Sequence, residues 1–109
     1  MSSSQPRYAR IWRGRTKKEK ADAYQCYWLA TGIDPLIGKG ALSVEMLRDD
    51  GETEVEFVTI SYWDSIEKMA PDGGDPHLTH HLPEDEDYLI EIPERVQILR
   101  ILESRSRMG

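Results

Sequence analysis

Several residue types are scarce in this chain, and each scarcity narrows what it can be. Its 109 residues include one cysteine, Cys26, so no intrachain disulfide can form. That fits a reducing compartment, and the cytoplasm is the expected location. No apolar run approaches the roughly 18 residues that a membrane-spanning helix needs. The stretch 1–6 is polar, lacks the apolar core of a signal peptide, and is expected to be a disordered lead-in. Positive charge is also short: 14 Lys and Arg against 20 Asp and Glu leave a formal net charge of −6. The basic groups gather mostly within 7–20 and 95–107, where they read as solvated strand edges and helix starts. A duplex-binding domain would carry a basic stripe, so nucleic acid is disfavoured as a partner.

What is present describes a globular domain. Apolar residues make up 39% of the chain and charged residues 31%, more large apolar side chains than a disordered chain carries. The length suits one domain, expected over 7–103, with 104–109 as a polar, fraying tail. Residues 7–15 alternate as a strand, with Tyr8, Arg10 and Trp12 on one face and Ala9, Ile11 and Arg13 on the other. Thr16-Lys17-Lys18-Glu19 has the spacing of a capping box and predicts a helix running to Thr31, with Gly32 as its terminator. Its stripe is Ala21, Tyr24, Gln25 and Trp28, widened by Ala23 and Tyr27. Asp34-Pro35 and Gly38-Lys39-Gly40 mark a loop. Strands are predicted over 41–48 and 54–62, joined by a hairpin turn at Asp49-Asp50-Gly51. Asp64-Ser65-Ile66-Glu67 opens a short second helix that Pro71 stops. Pro83-Glu84-Asp85-Glu86 resembles one more helix start, and 95–102 is the last strand.

The order strand, helix, strand, strand, helix, strand predicts an α+β fold. With right-handed crossovers, both helices cover one face of a four-stranded antiparallel sheet. The opposite face carries Leu, Val and Ile, too apolar to stay wet. A second copy of the same sheet is the simplest cover, so a homodimer is expected.

The stretches "ARIWRGRTKKEKADAYQCY", "TG", "EFVTISYWDSIEKM" and "PEDEDYL" resemble the antibiotic biosynthesis monooxygenase-like proteins, over nearly the whole chain from residue 9 to about 102. The resemblance implies a ferredoxin-like βαββαβ protomer paired into a dimeric α/β barrel. It also implies a cofactor-independent monooxygenase that acts on an aromatic or polyketide-like small molecule, without metal or flavin. In such enzymes the deprotonated substrate supplies electrons to O₂, and polar groups, commonly an Asn with a Trp, hold the anion. The haem-degrading branch uses an Asn, a Trp and a His. This chain contains no asparagine. A non-catalytic dimer that binds or senses a small molecule, and a haem-binding protein using His77, His80 or His81, are therefore the alternatives.

The candidate site residues follow from these two readings. Trp12, Tyr24, Trp28, Tyr62 and Trp63 are aromatics available to line a pocket between helix and sheet, or to fill the core. Trp63 matches the Trp at the strand-to-helix turn of the family. All three histidines fall in "HLTHHLPEDEDY". His77 is a candidate for the pocket rim, and His81 is the candidate base, because imidazole titrates near neutrality. His77 and His81 stand four apart, but no third ligand is demanded by the spacing, so no metal site is expected. The acids at 84–87 read as a solvated turn. Arg10 shares a face with Trp12, where it can steady an anionic substrate or form an ordinary salt bridge. Cys26 reads as an inert buried thiol.

Overall fold

The structure, a computed structural model, describes residues 5–70, 72–79 and 82–107. Strand β1 is Tyr8–Lys17, and helix α1 is Ala21–Thr31. A short helix α2, Asp34–Lys39, precedes the hairpin of β2, Ser43–Asp50, and β3, Glu54–Trp63. A single 3-10 turn at Glu67–Met69 and a one-turn helix α3, Asp85–Tyr88, lead to β4, Gln97–Arg100. The strands form one antiparallel sheet in the order β2-β3-β1-β4. That is the ferredoxin-like arrangement expected from the order of elements.

β3 alternates without a break, and this alternation defines the two faces. Val55, Phe57, Thr59, Ser61 and Trp63 are buried, while the residues between them are half-buried. α1 lays Ala21, Tyr24 and Trp28 onto Val55 and Phe57, with Leu89 closing the cluster. Phe57 meets Tyr24 and Trp28 edge-on, with centroids 5.1 Å away in both pairs. Each of these large side chains contributes about 1.5–3 kcal/mol through burial. A second cluster at the other end of the same face joins Ala41, Trp63 and Met69 to Leu36, Val44 and Ile98. All helical pieces therefore lie on one side of the sheet. The hairpin closes at Gly51, whose N–H donates to the Glu54 carbonyl at 2.9 Å.

Four local expectations need correction. Thr16 does not cap a helix: it lies inside β1, fully buried, and the N-terminus of α1 has no side-chain cap. Its pairing with Val55 continues the strand through the Thr-x-x-Glu signal. Residues 34–39 form α2 where a loop was expected. Pro35 fits its first turn, where a missing N–H costs nothing, and Gly40 ends it at φ +116°. The second helix shrinks to the 3-10 turn, whose N-cap residue is Ile66. The last strand is also shorter than expected, with residue 96 held instead by its N–H donating to the His77 carbonyl at 2.7 Å.

Among the described residues, no helix covers the far face. Ile11 pairs with Ile60, Arg13 with Val58, and Leu47 and Leu99 flank them from β2 and β4. Leu47 is 46% exposed and Leu99 43%. The molecule's shortest extent is 22 Å, and its radius of gyration is 14.8 Å. A compact 109-residue domain would have a radius of about 13 Å. The difference fits one sheet with a single helical layer.

Candidate functional site

The two clusters on the helical face do not meet, and a cavity of about 100 Å³ lies between them. Its floor is β1 and β3, through Arg10, Trp12, Thr59 and Ser61. α1 provides Tyr24 and Trp28, α2 provides Leu36 and Lys39, and Leu82 and Asp85 come from just before α3 and from its first residue. Trp12 and Trp28 face each other at 6.3 Å between ring centroids, and Tyr24 stacks on Trp28 at the same spacing. Trp12 lies back over Gly14. A Cβ at residue 14 would stand 2.5 Å from the indole edge.

Most polar groups of the cavity are paired with one another. Trp28 Nε1 donates to Thr59 Oγ1 at 3.1 Å. Ser61 Oγ accepts from Trp63 Nε1 at 2.8 Å. Asp85 is 4% exposed, and its carboxylate accepts from Tyr24 Oη at 3.2 Å and from the Leu82 N–H at 2.9 Å. Burial first, then the Asp85 charge, pushes the Tyr24 phenol far above its usual range. Tyr24 therefore remains a hydrogen-bond donor at any physiological pH.

The two cations are less settled. Arg10 Nη2 donates to the Leu78 carbonyl at 3.1 Å, while Arg10 Nε is buried without a partner. Burial draws the guanidinium below its ordinary pKa. Lys39 is drawn down by burial first and then by the Arg10 charge, with Asp72 acting in the opposite direction.

Of the residues singled out from the sequence, Trp12, Tyr24 and Trp28 come together in this cavity. Tyr62 lies on the opposite face of the sheet, where its hydroxyl donates to Glu45 at 2.9 Å. Trp63 is fully buried in the second cluster and reaches the cavity only through its bond to Ser61. His77 lies at the β4 edge beside Ile11, Arg13 and Arg95, with Nδ1 3.3 Å from Asp75. The His77 N–H is the main group holding the Asp75 carboxyl below its usual range. His80 and His81, the latter named as a base, lie outside the described residues. Among the described residues, no three His, Cys, Asp or Glu side chains converge as metal ligands, and Cys26 is exposed.

Asp85 and Lys39 were missed by sequence reading. Asp85 stands in an acidic run that looks wholly solvated, and its contact with Tyr24 spans 61 residues of sequence. Lys39 was placed in a loop. Folding into α2 turns it to the cavity instead.

The fold is shared by solved structures of low sequence identity. A Bacillus cereus protein provisionally assigned as an antibiotic biosynthesis monooxygenase aligns at TM-score 0.63 and 13% identity, over 94% of this chain and 99% of that one. A protein of unknown function from Nitrosomonas europaea aligns at 0.62 and 14%, over 98% of this chain and 100% of its own. A Pseudomonas aeruginosa protein aligns at 0.58 and 15%, over 95% and 100%. The chain thus has the fold of the antibiotic biosynthesis monooxygenase-like proteins. No family model matches it, and no curated protein resembles it in sequence. Among the described residues, no helix is long and apolar enough to cross a membrane.

Proposed function

We propose that this protein is a cofactor-independent monooxygenase acting on a small aromatic molecule, working as a cytoplasmic homodimer. The observation that carries this reading is the cavity walled by Trp12, Tyr24 and Trp28, with polar residues in its lining, on a fold that the Bacillus cereus protein shares. Cavities of about 150 Å³ accept benzene. A half-open cavity of about 100 Å³ thus suits one ring, and a polycyclic substrate would have to displace the wall. A haem macrocycle is larger still, so no haem enters the proposal, and neither metal nor flavin is needed.

The chemistry proposed is oxygenation of a hydroquinone. The ring supplies two electrons and two protons. One oxygen atom of O₂ joins the ring carbon and the other leaves as water, giving a hydroxyquinone. His81 is the proposed proton acceptor. The test is enzyme-dependent oxygen uptake with methylhydroquinone. Loss of uptake on His81→Ala would assign the base, and absence of uptake in the native protein would end the oxygenase reading.

A second reading has one observation in its favour. Trp28, Tyr24 and Trp63 spend their donors on neighbouring protein groups. A non-catalytic dimer that binds or senses the aromatic would need no more than that. Calorimetric binding without oxygen uptake would favour this alternative.

A further inference from the structure

The aromatic wall gives the cavity its affinity for a ring, and the floor adds charge. Arg10 enters from the first part of β1, in register with Ser61 on one side and Ile98 on the other. One of its donors is used by the Leu78 carbonyl, and its Nε is buried with nothing to receive it. Lys39 reaches the same cavity from the last turn of α2. Burial disfavours both positive charges, and the Arg10 charge also acts on Lys39. Asp72 offsets Lys39 in part. The acid that lines the cavity, Asp85, is taken up by Tyr24 and the Leu82 N–H.

Two like charges brought together in a partly desolvated cavity repel, and an anion placed between them converts repulsion into attraction. A guanidinium presents its donors in a planar fork that matches a carboxylate. We propose that the cavity is a subsite for an organic anion: a single aromatic ring bearing a carboxylate, with the carboxylate on Arg10 and Lys39 and the ring against the wall that Trp12 and Trp28 form. This deepens the preceding reading and rests on it, since the same cavity must be the ligand site.

The probes are 2,5-dihydroxybenzoate and its neutral amide, 2,5-dihydroxybenzamide, titrated calorimetrically under nitrogen so that oxidation does not intervene. The acid should bind at least tenfold more tightly than the amide. Arg10→Gln and Lys39→Met should each reduce that ratio at least fivefold. Arg10→Gln alters a half-buried strand residue, so its folding is checked by circular dichroism. Lys39→Met, at the end of a surface helix, provides the test if Arg10→Gln does not fold. Equal affinity for acid and amide overturns the anion subsite and leaves the cavity as the ligand site. A preference that persists in both variants also overturns it, because the anion would then be held elsewhere. Failure of both probes to bind overturns the ligand site and the subsite together.

Discussion

Tyr24 bears most directly on the integrity of the site. Its ring joins Trp28, Phe57 and Tyr88, while its hydroxyl anchors Asp85 at the cavity wall. Tyr24→Phe keeps the packing and removes the buried donor. We expect a loss of about 1–2 kcal/mol in urea unfolding, the cost of removing one buried hydrogen bond to a carboxylate. The pH dependence follows from burial. The phenol's folded pKa is raised above its unfolded value of 10.0, so its contribution is complete below pH 10 and declines as pH rises past that value. Stability curves measured between about pH 9 and 11.5 should therefore fall less steeply for Tyr24→Phe than for the native protein. An identical slope in the two proteins would show that the phenol ionises as readily folded as unfolded.

At the level of elements, the sequence signals that succeeded depend on period two, and those that failed depend on capping. Alternation placed Tyr8, Arg10 and Trp12 opposite Ala9 and Ile11, and Phe57 opposite Val58, as the register has them. The Thr16-x-x-Glu19 pattern competed with that alternation and lost, because Thr16 pairs with Val55 in the centre of the sheet. A capping role predicts that Thr16→Val costs about 1 kcal/mol. The strand position predicts the reverse. Thr16 Oγ1 is buried without a partner, so Thr16→Val should be neutral or raise stability by up to about 1 kcal/mol. Thermal melts of this variant decide between the two. α2 was not legible because it is six residues long, too short for a periodic stripe. Its boundary depends on Gly40. Gly40→Ala forces a side chain into a left-handed conformation, 3.1 Å from Lys68 Cδ. It should lower the urea midpoint by the equivalent of about 1–2 kcal/mol. The candidate site was legible only as aromatics on the right faces. That Trp12 and Trp28 meet while Tyr62 points away depended on register, and the place of Asp85 depended on a contact across the fold.

For the whole molecule, the decisive feature is the open sheet face. Val58, Ile60 and Leu47 are in register with Arg13, Ile11 and one another across three strands, with no helix of the described residues above them. A second copy would bury about 800 Å² per partner in an interface of ordinary size. Sedimentation at micromolar concentration should show two copies for the native chain and one for Ile60→Glu, which puts a charge at the centre of that face. A monomeric native chain would remove the proposed dimer. The chain's other defining dimension, the width of its cavity, is set by an absence two residues along β1 from Trp12. At residue 14 the backbone carries no side chain, and the indole rests in the room left there. A single methyl at that position would tip the ring inward. A related sequence with alanine there could keep every lining residue and lose its ligand. Specificity in this fold can therefore drift through a position that never touches the bound molecule.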